Sequence, residues 1–190
     1  SLPKLPPAIE CYLSGLPDKE LEVETSLADI VDIENLSTRE YKQQAAIWEL
    51  IETEVNYIKQ LRSIITIYMS VFHVINGPYL NSVNTYDLFS NIDEVCEANG
   101  KFWSYYISQP LTEAKKSHSP LDAKLFKQGF LNIKNLLKPY VRFCQEVDHC
   151  RRFIQKLEKD STNFSVFLQW ASSIHSSNSR LALVDQLAQP

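Results

Sequence analysis

The stretch Ala45-Ala46-Ile47-Trp48-Glu49-Leu50-Ile51-Glu52-Thr53-Glu54-Val55-Asn56-Tyr57-Ile58-Lys59-Gln60-Leu61 decides the fold. Apolar residues recur at 47, 50, 51 and 58 within it, then at 61, 65, 68 and 72. This three-and-four spacing is the buried stripe of a long amphipathic helix, of which the quoted residues form the first third. At about 100° per residue, Glu49 falls nearly opposite the stripe, with Glu52 and Asn56 near it and Thr53 on its flank. Glu54 instead projects into the middle of the stripe. An unpaired buried charge is costly, so Glu54 is expected to find a structural partner or a water in the core. Trp48, on the flank, is read as a packing residue for the leader or a neighbouring helix to cover.

Working outward toward the N-terminus, Ser37 and Glu40 make a Ser-x-x-Glu capping box, with Leu36 and Tyr41 placed as a hydrophobic staple. The helix is expected to run to about Ile75, where Asn76-Gly77-Pro78 stops it. That is roughly 55 Å at 1.5 Å per residue, and implies an elongated bundle. Residues 1–36 read as a Pro-rich, acidic leader. Prolines at 3, 6, 7 and 17 argue against regular structure before residue 18. Residues 26–34 suit a short helix with Leu27, Ile30 and Val31 facing the body.

Downstream, a second helix carries Leu88, Phe89, Ile92, Cys96, Phe102, Trp103 and Tyr106, with Asn99-Gly100 as a local weak point. Residues 108–121 read as a polar loop closed by Pro120. A third helical stretch holds Leu125, Phe126, Phe130, Ile133, Leu136 and Leu137, and Pro139 bends or restarts it. Ser161 or Thr162 is placed to cap a helix beginning near Asn163.

Three segments, taken in order, resemble one family. Ile47, Glu49, Leu50, Ile51, Thr53, Glu54, Tyr57 and Leu61 fill the pattern apolar-x-Glu-Leu-apolar-x-Thr-Glu-x-x-Tyr-x-x-x-Leu. That is similar to the first conserved region of Dbl-homology domains, the guanine-nucleotide exchange modules for Rho-family GTPases. Leu88, Phe89, Asn91, Ile92, Glu94, Asn99 and Phe102 follow in the family's order. Tyr140, Phe143 and Cys144, then Phe164, Phe167 and Leu168, resemble its second region. Leu181, Leu183, Asp185, Leu187 and Pro190 resemble the opening of the third, in the form found in the pleckstrin-homology-domain-containing family G type. The implied architecture is all-α, an elongated helical bundle, with residues 37–190 as the N-terminal part of a Dbl-homology domain. The family's third-region Lys or Arg, and the Asn or Asp of its final long helix, have no counterpart in these 190 residues. The resemblance therefore implies missing final helices, a partly exposed core and little or no exchange activity. Self-association or an alternative packing would cover the exposed stripe.

Composition agrees with such a reading. One hundred and ninety residues with four glycines and 44% hydrophobic content suit a single helical domain. The net charge of −4 is uneven: residues 1–54 hold twelve acids and four bases. An acidic first helix suits a protein partner, and no aromatic-interleaved basic patch suggests nucleic acid. Cys11, Cys96, Cys144 and Cys150 lack metal or redox spacing, and each sits near an apolar position. They read as buried free thiols in a reducing compartment. Asp87, Asp93, Glu94 and Glu97 read as solvated carboxylates rather than a cation site. His73, His118, His149 and His175 lack nearby nucleophiles. No cofactor, metal or catalytic residue is expected.

In the family, the Glu of the first motif hydrogen-bonds switch I of the GTPase and pulls it from the nucleotide. The resemblance carries that role to Glu49 and, as a neighbour on the same flank, to Thr53. Glu52, Asn56 and Gln189 become further GTPase-facing positions. The implied partner is a Rho, Rac or Cdc42 type GTPase, in the cytoplasm, with membrane recruitment only through a downstream pleckstrin-homology domain. A helical scaffold or exchange-dead homologue shares the same core pattern and would differ in not needing Glu49.

Overall fold

The computed structural model describes residues 21–23, 26–80, 83–175 and 183–188. Among them all regular structure is helical. The α-helices are α1 (Thr38–Ser63), α2 (Ser70–Leu80), α3 (Thr85–Phe89), α4 (Ile92–Phe102), α5 (Ser108–Ser117), α6 (Lys127–Leu136), α7 (Lys138–Asp160), α8 (Thr162–His175) and α9 (Leu183–Gln186). Tight 3-10 turns lie at Leu27–Asp29 and Ala123–Phe126, and wider π turns at Ile64–Met69 and Trp103–Ile107.

Helix α1 begins where the capping box puts it. The Ser37 N–H donates to Glu40 Oε2 at 2.9 Å and the Ser37 hydroxyl to the same oxygen at 2.6 Å. In return, the Glu40 N–H donates to Ser37 Oγ at 3.3 Å. The Ser37 hydroxyl and N–H hold the Glu40 carboxyl below its ordinary range. Tyr41 is 47% exposed, so the box rather than the staple fixes the start.

The helical path does not stop at Asn76-Gly77-Pro78. After the π turn, where the Ser70 N–H reaches back to Ile65 O, α2 runs to Leu80. Pro78 has no backbone N–H to donate, and α2 ends two residues beyond it. Asn76 Nδ2 donates to Val83 O at 2.6 Å, so the supposed stop signal ties down the chain beyond the helix. The π turn also shifts the stripe. Ile64 and Ile67 are buried, whereas Ile65, expected inside, is half-buried.

The described residues divide into two compact units, one within residues 20–59 and 96–138 and the other within 60–95 and 139–190. In the first unit, Leu21, Ile30 and Val31 of the leader lie in one core with Trp48, Ile51, Val55 and Ile58 of α1. Phe102, Trp103, Ile107 and Leu111 complete it from later in the chain. Gln44, buried at 3% exposure, clamps both backbone groups of Leu121: its Nε2 donates to the carbonyl at 2.8 Å and its Oε1 accepts the N–H at 2.7 Å. Residues 108–117, expected as a polar loop, are α5. Ile107, Leu111 and Ala114 form a buried stripe there, and Pro110 sits in the first turn, where its missing N–H has no helical partner to lose. Gly129 of α6 is buried against the π turn at Trp103–Ile107.

The second unit is built on aromatic rings. Phe72 meets Phe89, Phe164 and Phe167 at centroid distances of 5.9, 6.4 and 6.1 Å. Leu183 and Leu187 are buried, and Ser161 Oγ caps α8 by accepting the Phe164 N–H at 3.3 Å. The second helical stretch breaks at Ser90, while Asn99-Gly100, expected as a weak point only, lie inside α4. Ser90 has φ 47°, and its hydroxyl donates to Glu146 Oε2 at 2.9 Å. Buried Asn91 then donates from Nδ2 to Glu94 and to the Pro139 carbonyl. Of the cysteines, Cys150 is buried and Cys96 half-buried, but Cys144 is exposed, against expectation. It follows Phe143 on α7, and the stripe of Phe143, Cys150 and Ile154 leaves it outside. Cys11 lies outside the described residues.

Candidate functional site

The polar ridge of α1 follows from its buried stripe. Trp48, Ile51, Val55 and Ile58 face the core at spacings of three and four. The opposite face must therefore show Glu49, Thr53 and Asn56, and all three are exposed. Trp48, read as flanking, is a core residue at 7% exposure, which places Glu49 directly beside a fixed anchor. Glu52 is half-buried at the ridge's edge. Lys42 and Ala46 extend the same exposed row backward, making Lys42, Ala46, Glu49, Thr53 and Asn56 one line at spacings of four and three. The sequence reading began the row at Glu49 and missed those two, although the same spacing pointed to them.

Among the described residues, Glu49 takes part in no side-chain hydrogen bond or ion pair. Its carboxylate is free to accept hydrogen bonds from a partner, the interaction that carries most strength when one group is charged. The small Ala46 one turn earlier leaves the backbone open to close approach. Gln189 lies outside the described residues, so the ridge brings together Glu49, Glu52, Thr53 and Asn56 only.

Glu54 departs from expectation. Its Oε1 is buried and has no hydrogen-bond partner among the described residues, so that oxygen lacks the structural pairing assigned to the group. Burial pushes its carboxyl up to about 7. Protonation replaces pairing as the way this group tolerates the core. Three of the four carboxylates of the second helical stretch face a basic side chain: Asp87 lies 3.7 Å from His149, Glu94 3.4 Å from Arg142 and Glu97 2.6 Å from Lys101.

The RhoGEF domain family model matches residues 46–190. Human pleckstrin homology domain-containing family G member 5 is 33% identical over 172 residues, covering 90% of this chain and 17% of that protein. Mouse pleckstrin homology domain-containing family G member 6 is 26% identical over 193 aligned positions, covering 100% of this chain and 24% of that protein. Human Rho guanine nucleotide exchange factor 26 is 26% identical over 157 residues, covering 83% of this chain and 17% of that protein. The chain thus spans a small part of the length of these relatives, and no solved structure is a significant match. A match over so much of the chain places the protein in the RhoGEF family, whose domains are exchange factors rather than enzymes of covalent chemistry.

Proposed function

We propose that this chain is the exchange-factor portion of a protein that loads a Rho, Rac or Cdc42 type GTPase with GTP in the cytoplasm, and that Glu49 is its switch-contacting residue. The observation that carries the reading is the exposed Glu49 carboxylate, without a partner among the described residues, on a ridge with Thr53 and Asn56 and backed by the buried Trp48. Exchange needs no bond-making. A surface that binds the nucleotide-free GTPase better than the nucleotide-bound form shifts the population toward release, and only that difference in affinity does work. Glu49 would supply it by accepting hydrogen bonds that switch I makes only when drawn off the nucleotide. Thr53 and Asn56 would add neutral contacts on the same line, and Glu52 would border them.

Fluorescent-GDP release from Rho, Rac and Cdc42 proteins tests this, using the chain and a version extended at its C-terminus, each with and without Glu49→Ala. Acceleration that falls at least about tenfold in Glu49→Ala, at unchanged melting temperature, supports the reading, tenfold being about 1.4 kcal/mol of differential binding. No acceleration at either length on any of the three overturns it, in favour of a module that only binds partners.

A further inference from the structure

Residues 123–138 contain four lysines and no acidic residue. Lys127, Leu131 and Lys134 lie on one face of α6 at spacings of four and three, with Lys124 in the 3-10 turn just before it and Lys138 opening α7 just after it. All five are exposed, and none of the lysines is ion-paired among the described residues. Leu131 is 66% exposed in the middle of the row, and Phe130 beside it is 46% exposed. Behind the ridge, Gly129 is buried and Asn132 donates to the Tyr106 hydroxyl at 3.2 Å, which fixes the orientation of α6. The π turn packed against α6 carries no charged residue to neutralise it. From Phe130 a chain of ring contacts runs through Phe102 and Tyr106 to Tyr105, itself 66% exposed.

A row of cations around an exposed leucine and aromatics is poorly suited to plain solvent. Lysines alone would be an ordinary solvated face, but the apolar side chains among them are the pattern of a surface that meets lipid headgroups. We infer that the ridge of residues 124–138 docks on an anionic membrane surface, with Leu131 and Phe130 entering the headgroup layer and the lysines facing the lipid phosphates. Charge complementarity selects this occupant. The whole chain carries a net charge of −4, so its overall field repels an anionic bilayer and only a local patch can reverse that. No helix among the described residues is long and apolar enough to cross a membrane.

Co-sedimentation of the 190-residue chain with vesicles tests this, comparing phosphatidylcholine alone with phosphatidylcholine plus phosphatidylserine, at low and high salt. The expected result is binding to the phosphatidylserine vesicles only, weakened by salt. Each lysine near such a surface contributes roughly fivefold, so Lys127→Glu with Lys134→Glu lowers binding by at least about thirtyfold. Leu131→Ser lowers it severalfold without changing its salt dependence. A charge-matched control, Lys156→Glu with Lys159→Glu, alters exposed lysines of α7 and keeps binding within about twofold. Equal binding to both vesicle types, or equal losses in the ridge variant and the control, would overturn the inference.

Discussion

Two glycines on neighbouring helices should respond to the same substitution with opposite signs. A Cβ added at Gly129 would lie 2.8 Å from Tyr106 Cβ, 2.9 Å from Tyr106 Cγ and 2.9 Å from Phe102 Cε2. Carbon atoms settle at about 3.5–4.0 Å, so all three contacts fall well inside the repulsive wall. Ring rotation cannot relieve the first, because Tyr106 Cβ is fixed to the backbone of the π turn. Either α6 moves away from that turn, or the Asn132–Tyr106 hydrogen bond is distorted. Overpacking of this kind costs about 1–3 kcal/mol, and three contacts put Gly129→Ala at the upper end. Better helix propensity returns about 1 kcal/mol, leaving a net loss of about 2 kcal/mol. Gly100, inside α4, has nothing within 4 Å of the same position. Gly100→Ala collects the propensity gain alone and stabilises by roughly 0.5–1 kcal/mol. Urea unfolding followed by far-ultraviolet circular dichroism reads both. A Gly129→Ala midpoint at or above wild type, or a Gly100→Ala midpoint that falls alongside it, would refute the packing argument.

Two further outcomes follow from buried polar groups. Gln44→Leu keeps the volume but strands the N–H and carbonyl of buried Leu121, and should cost roughly 2–4 kcal/mol in the same unfolding assay, with a loss under about 1 kcal/mol contradicting the clamp. Glu54 has its carboxyl raised from 4.5 to about 7, so the folded chain holds a proton that the unfolded chain releases. Stability is then fully present below about pH 4.5, falls as pH rises toward 7 and levels off above it, by at most roughly 3 kcal/mol. Glu54→Gln should flatten that fall and raise the midpoint at pH 8, and an unchanged pH profile would show that the group finds water or a partner when ionised.

The parts of this fold legible in the sequence are those fixed locally. The Ser37–Glu40 box and the apolar spacing after it place α1 because both work between residues three or four apart. The break at Ser90 carries no such sign: a serine at φ 47° is held by its hydroxyl bond to Glu146, fifty-six positions away. Helix α5 was hidden by Pro110 and by polar neighbours, although Ile107, Leu111 and Ala114 already spelled its buried face. The π turns insert a wider step that no residue type announces, and they displace the stripe downstream. At the ridge, spacing identified an exposed face, whereas the choice of Glu49 on it came from family resemblance. Spacing also placed Glu54 on the buried side of α1, yet only the packing shows that its Oε1 has no hydrogen-bond partner among the described residues.

Glu49 and Glu54 are the same residue type five positions apart on one helix, and helical phase alone separates their roles. Five residues turn the chain about 500°, so the second carboxylate points about 140° away from the first. One is exposed, with no partner among the described residues, and is open to a donor from another protein. The other has an oxygen sealed from water, where ionisation opposes folding. Their substitutions should therefore dissociate. In the C-terminally extended chain, Glu49→Ala should slow GDP release at least about tenfold while leaving the unfolding midpoint unchanged at every pH, and Glu54→Gln should move the midpoint above neutral pH while leaving release intact. If instead Glu54→Gln also removed exchange at a pH where the chain is fully folded, the division between a binding face and a packed face on α1 would be wrong.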